Sequence, residues 1–327
     1  MSASVALKAK NTPSPGTVGR GKAVTLDSLP THTHWTDGQV NLHLGDSLNH
    51  YAQWDTPTVI VSDGAYGILG FEGDTSDHLG IAAWYEPHIQ AWSQHATAQT
   101  TLWFWNSEIG WASVHPLLER HGWRYVNANV WNKGKAHIAG NVNTAKIRRF
   151  PVVTEMCVQY VFEARLDNIR PMTADEWASQ RSKFHCPMGF TNVWERNPLK
   201  GTERIRVPEI SGKAAHLNQK PLDLMGMIIE AASDAGDVVW EPFGGFFSAS
   251  LAAKHAGRKA FAGEIDPTYF QLGLERFMPR QPEKTAARKR EKHSWADTPG
   301  FGMWADREEM ADPAAYVRNI RKPRYTL

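Results

Sequence analysis

Between Val40 and Phe277 the apolar residues fall into two alternating kinds of segment. Short runs rich in β-branched and aromatic residues recur at Val40-Asn41-Leu42-His43-Leu44, Thr58-Val59-Ile60-Val61, Thr101-Leu102-Trp103-Phe104-Trp105, Tyr125 to Trp131, Thr154 to Phe162, Val238-Val239-Trp240 and Phe261-Ala262. Such nearly continuous apolar runs suit strands buried on both faces, as in a parallel sheet. Helical segments are predicted between them at Trp84 to Ala98, at Ser113 to His121 with Gly122 as C-cap, and at Tyr269 to Phe277. From His216 onward the order is helix, strand, glycine turn, helix, and a strand ending in an acid. This alternation predicts an α/β fold with a parallel sheet, in which binding groups collect at the carboxyl ends of the strands.

The places where the rhythm fails divide the chain. Residues 1–33 read as a flexible basic arm, with Lys8, Lys10, Arg20 and Lys22 ahead of any acid. Residues 34–164 carry the first set of strands and 214–280 the second. Residues 165–213 form an irregular insert in which Arg196, Lys200 and Arg204 lie among Trp177, Phe184, Phe190 and Trp194. Residues 281–327 make a C-terminal extension. Within the first half, Lys133 to Arg149 contains Lys133, Lys135, Lys146, Arg148 and Arg149 without one acid. Basic loops of this kind neutralise phosphates, so these residues and the basic insert are the candidate nucleic-acid contacts. Trp103, Trp105, Trp123 and Trp131 read as core.

Composition narrows the setting more than the function. A chain of 327 residues with 42% hydrophobic content can bury a sizeable core. The net charge of +2 decides nothing about nucleic acid by itself. Cys157 and Cys186 form no Cys-x-x-Cys pair, which points to a reducing cytoplasm and away from a metal cluster. No membrane-length apolar run and no apolar leader core are present in the sequence, so neither insertion nor secretion is expected.

The candidate chemistry sits at strand ends. His216-Leu217-Asn218-Gln219-Lys220-Pro221 precedes Glu241-Pro242-Phe243-Gly244-Gly245, and Glu264 closes the next strand. A tight glycine turn lets backbone approach a ligand, and an acid at the following strand end accepts from ribose hydroxyls. Upstream, Gly45-Asp46-Ser47 and Asp63-Gly64-Ala65-Tyr66 also follow apolar runs. Together these segments, over about residues 37–278, resemble the DNA amino-methyltransferases in their beta motif order, the catalytic half preceding the cofactor half.

That resemblance implies a Rossmann-like, doubly wound, mostly parallel sheet with an antiparallel edge strand and an irregular DNA-recognition insert. It implies S-adenosylmethionine as cofactor, with no metal. His216, Asn218, Gln219 and Lys220 would reach its methionine end, Phe243, Gly244 and Gly245 its middle, and Glu264 its ribose, with Asp46 and Glu241 completing the pocket. Duplex DNA would be the substrate, a restriction endonuclease a plausible genetic partner, and the oligomeric state stays open. An exocyclic amine is a poor nucleophile because its lone pair is delocalised into the ring. Asp63 and the Gly64 carbonyl, aimed at its hydrogens, would free that lone pair, and Tyr66 would stack on the flipped base. The aspartate favours adenine N6 over cytosine N4, although Ser62 precedes it. An enzyme acting on RNA stays open as an alternative, and Gly64, Ala65 and Phe247 leave open a catalytically impaired DNA-binding homologue; three departures from the family pattern are present. Gly64 and Ala65 replace the catalytic prolines, Glu241 replaces the usual aspartate, and Phe246-Phe247 stands where a further glycine is usual. Phe247 is expected to narrow the cofactor site or to set a ring against it.

Overall fold

The computed structural model describes residues 32–67, 78, 80–134, 148, 150–162, 173, 175, 182–199, 203–205 and 219–278. The basic arm, the C-terminal extension and most of the acid-free loop and basic insert lie outside these. The strands are β1 (His34–Thr36), β2 (Val40–Leu44), β3 (Val59–Ser62), β4 (Thr101–Asn106), β5 (Trp123–Asn132), β6 (Thr154–Phe162), β7 (Val193–Glu195), β8 (Val238–Glu241) and β9 (Lys259–Glu264). The helices are α1 (Ile81–His95), α2 (Glu108–Arg120), α3 (Leu222–Ala232), α4 (Ser248–His255) and α5 (Pro267–Leu274).

The strands form one sheet in the order β1-β2-β9-β8-β3-β4-β6-β5-β7. From β2 to β4 the neighbours are parallel. The antiparallel edge strand is β1, and a second antiparallel strand, β6, stands inside the sheet between β4 and β5. The two halves of the chain meet twice, where β2 pairs with β9 and where β3 pairs with β8, and the strand order reverses at the second. A ligand crevice belongs at such a switch of strand order, at the carboxyl ends.

Period-two alternation explains why the strands read as unbroken apolar runs. Val59, Val61, Trp103, Trp105 and Val239 pack into the core under α3, α4 and α5. Ile60, Leu102, Phe104 and Trp240 point the other way, into an aromatic core under α1 and α2. Each strand therefore feeds two cores at once. Two helices begin earlier than their apolar pattern predicts. α1 starts at Ile81, and α2 at Glu108, because Ser107 Oγ accepts from the Gly110 amide at 3.1 Å and caps it. Among the described residues, no helix is long and apolar enough to cross a membrane.

Candidate active site

A cavity of about 590 Å³ opens at the carboxyl ends of β2, β9, β8 and β3. Its first wall is knitted together by backbone. The Gly45 amide donates to the Glu264 carbonyl, and the Gly244 amide to the Gly263 carbonyl, each at 2.8 Å. Ser47 Oγ donates to the Pro242 carbonyl at 2.7 Å. That approach requires Gly263, since a Cβ there would lie 2.1 Å from Ser47 Oγ. Asp46 turns the chain after β2, its Oδ1 accepting from the Leu48 amide at 2.9 Å.

Two acids stand in this wall with no salt bridge among the described residues, although the charge of Arg276 acts on Glu241 to lower it. Glu264 accepts from the Gly245 amide at 2.6 Å and the Asp266 amide at 2.7 Å. Glu241 accepts from the Ala249 and Ser250 amides at the start of α4, at 2.9 and 2.7 Å, and from Ser250 Oγ at 2.6 Å. Burial outweighs these donors and pushes each carboxyl up to about 7.

The second wall pairs charge with charge. Lys220, 4% exposed, donates to both oxygens of Asp63 at 2.7 Å. Its Nζ lies 3.2 Å from Glu155 Oε2, and Lys133 pairs with the other oxygen of Glu155. The indole of Trp105 stands 5.1 Å beneath the same ammonium. Burial alone would raise the Glu155 carboxyl, but Lys220 and Lys133 hold it below the usual range. Burial would likewise lower Lys220, and Asp63 and Glu155 hold it above the usual range. Lys133, Glu155, Lys220 and Asp63 thus form a chain of alternating charge, buried at Lys220 and part-buried at the other three.

The third wall is α1, which presents Trp84 and His88. The Phe243 ring packs 5.1 Å from Trp84 and 4.8 Å from His88. A Cβ on Gly64 would meet that ring at 2.7 Å and the Tyr85 hydroxyl at 2.8 Å. Gly64 is therefore the residue this packing admits where the resemblance expects proline.

Of the residues expected at the site, Asp46, Asp63, Gly64, Gln219 and Lys220 line the cavity, as do Glu241, Phe243, Gly244, Gly245 and Glu264. Gln219 is tied down by its own chain, donating to the Glu203 carbonyl and accepting from the Ile205 amide, each at 3.0 Å. His216 and Asn218 lie outside the described residues. Three expectations are corrected. Tyr66 is 9% exposed and gives its hydroxyl to Asp63 Oδ1 at 2.8 Å, so here it is bound to Asp63 and offers no open face. Phe247 is fully buried away from the cavity, its ring wedged where a Cβ on Gly244 or Gly273 would stand. Lys133 is held inside by Glu155 instead of facing phosphate.

The remaining basic candidates are scattered. Arg196 is engaged by Asp223 at 3.0 Å and Glu203 at 2.7 Å. Arg204 is half-buried and Arg148 exposed, while Lys135, Lys146, Arg149 and Lys200 lie outside the described residues. Sequence reasoning missed Glu155, Trp84 and His88. Glu155 carried a signal, being the only charged residue of its strand. Trp84 and His88 carried none, since their place in the cavity depends on how α1 packs.

A family model described as DNA methylase, of the N6/N4 type, matches residues 58–275, and the chain belongs to this family. The DNA adenine methyltransferase YhdJ of Escherichia coli (strain K12) is 43% identical over 61 residues, which is 19% of this chain and 21% of that protein. The type II methyltransferase M.HinfI of Haemophilus influenzae is 34% identical over 91 residues, 28% of this chain and 25% of its own. The matches thus span a quarter or less of these curated relatives. Among solved structures, the PvuII DNA methyltransferase (cytosine-N4-specific) is similar with a TM-score of 0.56 at 16% identity, over 75% of this chain and 89% of that one. The M1.HpyAVI–SAM complex gives 0.53 at 18% identity, over 73% of this chain and all of that one. At such identities the structural likeness concerns the fold.

Proposed function

We propose that the protein transfers a methyl group from S-adenosylmethionine to the exocyclic amine of a base flipped out of duplex DNA, adenine N6 in preference to cytosine N4. The observation that carries this reading is the single cavity that joins Asp63 and Gly64 on one side to Glu264 and the glycine turn on the other. Its size falls within the roughly 300–1,000 Å³ usual for small-molecule sites. The residues present fit the cofactor. Gly244, Gly245 and Gly263 bring backbone close. Each Glu264 oxygen already accepts one amide and retains a lone pair for a ribose hydroxyl. Bound there, S-adenosylmethionine would supply an electrophilic methyl on its sulfonium.

Asp63 has one acceptor position to spare. A carboxylate offers about four lone-pair sites. Lys220 and Tyr66 occupy Oδ1, and Lys220 also occupies one site on Oδ2. One amine hydrogen goes to the remaining Oδ2 site and the other to the Gly64 carbonyl, which favours a pyramidal nitrogen with its lone pair free. Lys220 and Tyr66 fix the direction of that acceptor before the base arrives, which is preorganisation in the electrostatic sense. Gln219, Asp46, Glu241 and Phe243 shape the remaining wall. The basic loop around Arg148 and the insert carrying Arg204 supply phosphate contacts, and a restriction–modification role fits the type II relatives.

The test is to incubate duplex DNA with the protein and methyl-labelled S-adenosylmethionine, and to analyse the nucleosides by mass. Labelled N6-methyladenine is expected. Labelled N4-methylcytosine would reassign the base. Label on RNA alone would move the substrate class, and no label on either would leave a DNA-binding homologue without turnover.

A further inference from the structure

Helix α1 walls the cavity through a histidine whose tautomer the fold dictates. The Trp92 indole N–H can only donate, and it donates to the Tyr51 hydroxyl oxygen at 3.0 Å. That hydroxyl lies 2.8 Å from His88 Nδ1. Tyr51 and Trp92 are 2% and 0% exposed, so the hydroxyl proton is either given to His88 Nδ1 or buried unpaired. Nδ1 is therefore the acceptor, and the imidazole carries its own proton on Nε2. Burial keeps the ring neutral, lowering it to about 4 although the charge of Asp46 pulls the other way. The Phe243 ring stands edge-on to the imidazole at 4.8 Å and Trp84 lies tilted against it at 5.3 Å, so the ring has little freedom to turn. His88 is 5% exposed and belongs to the cavity lining, which leaves the Nε2–H as the polar atom it offers there.

We propose that His88 reads the purine of the cofactor: its Nε2–H donates to a ring nitrogen beside the exocyclic amine, and Asp46 accepts from that amine. This rests on the cofactor reading above. In an S-adenosyl compound the ribose lies between sulfonium and purine. With transfer at Asp63 and the ribose at Glu264, the purine falls beyond Glu264, at the Gly45–Leu48 end of the cavity. Asp46 lies there, and it acts electrostatically on His88. Its Oδ1 is taken by the Leu48 amide, which leaves Oδ2 for a ligand. The amino edge of adenine presents a donor beside an acceptor, and Asp46 with His88 presents the complementary pair.

The experiment measures binding of S-adenosylhomocysteine by calorimetry, together with its 1-deaza, 3-deaza and 7-deaza analogues, to the wild-type protein and to His88→Phe. The variant should bind the parent compound about tenfold more weakly, as expected when a buried acceptor loses its donor. Either the 1-deaza or the 7-deaza analogue should lose about the same factor on the wild type and nothing further on the variant. The 3-deaza analogue, whose missing nitrogen is not next to the amine, should bind wild type as the parent does. Nitrogen NMR of the folded protein should show a protonated Nε2 and a bare Nδ1 on His88, a signature that does not depend on the variant folding well. Equal affinity of His88→Phe and wild type, losses that simply add for every analogue, or a protonated Nδ1 would each overturn the proposal. Failure of the wild type to bind S-adenosylhomocysteine at all would sink the cofactor reading, and this inference with it.

Discussion

The two walls of the cavity hold their acids by opposite means. On the wall proposed as catalytic, Asp63 and Glu155 are matched to ammonium groups, the buried Lys220 and the part-buried Lys133. On the opposite wall, Glu241 and Glu264 are hydrogen-bonded by N–H and O–H groups with no salt bridge among the described residues, and burial pushes both up to about 7 even though the charge of Arg276 opposes it at Glu241. The difference separates their responses to pH. The Glu155–Lys220 pair keeps its charges across the neutral range, while the cofactor wall changes charge within it. On the function proposed above, one cavity combines a fixed electrostatic frame at the reacting end with a titrating frame at the binding end.

The largest effect that would break this comparison comes from the reacting end. Asp63→Ala should lower methyl transfer by roughly 100-fold or more, as for other preorganised groups lost at a transition state. Binding of S-adenosylhomocysteine should change far less, because Glu155 still neutralises Lys220. Near-normal label incorporation by this variant would remove Asp63 from the chemistry.

Glu155→Leu tests whether the charge chain holds the wall together. Removing one partner of a buried pair strands the others, at a cost of about 3 kcal/mol or more. Denaturant unfolding measures it, and a loss below about 1 kcal/mol would place the pair in the weak class of exposed ion pairs. Because the Glu155 carboxyl is held low, its contribution is present above the unfolded value of 4.5 and fades as pH falls through the lower folded value.

Glu264 carries the opposite sign. Its folded value, about 7, exceeds 4.5, so the folded protein binds that proton more tightly than the unfolded chain does. Its contribution to stability is therefore greatest below 4.5 and declines up to 7, by about 3 kcal/mol in all. Cofactor binding should run the other way, since the ionised carboxylate is the better acceptor. Affinity should weaken by up to about tenfold per pH unit below 7. Glu264→Gln should bind ~10-fold more weakly at pH 8 and lose the Glu264 share of the pH dependence, leaving only what Glu241 contributes. A pH-independent wild type in calorimetry would refute the titrating wall.

The smallest effect sharpens the boundary between the walls. Gly64→Pro restores the residue of the family pattern, yet its ring atoms would run into Phe243 and Tyr85. We expect a destabilisation of about 1–3 kcal/mol from overpacking, partly relieved by Phe243→Leu. A rise in melting temperature for Gly64→Pro alone would show that the packing is looser than the distances indicate.

What could be read from the sequence follows from how local each signal was. Asp63, Glu264 and the glycine turn were legible because each closes a short apolar strand, and strand ends in a parallel sheet converge on one crevice. The partner of Lys133 was not, because Glu155 is 22 residues away and meets it only through the antiparallel pairing of β5 with β6. A row of cations without a neighbouring acid in sequence looks solvent-directed until such pairing is known. The interior position of β6 was hidden for the same reason. The start of α2 at Ser107 depended on a single capping hydroxyl ahead of the apolar pattern. Phe247 was misread because the slot that accepts it is made by two glycines, Gly244 and Gly273, far apart in the chain.

Phe247 is the one described non-glycine residue with positive φ, at 55°. A left-handed backbone there costs roughly 1–2 kcal/mol, which burial of a phenylalanine, at about 1.5–3 kcal/mol, offsets. Its ring packs against Phe270 and Phe277, beneath the turn that carries Gly244 and Gly245. For those two amides to open to solvent through this residue, the ring must leave its slot. The turn therefore cannot breathe as a surface loop does, and its exchange with water is tied to the opening of α5 and the core, as one cooperative unit.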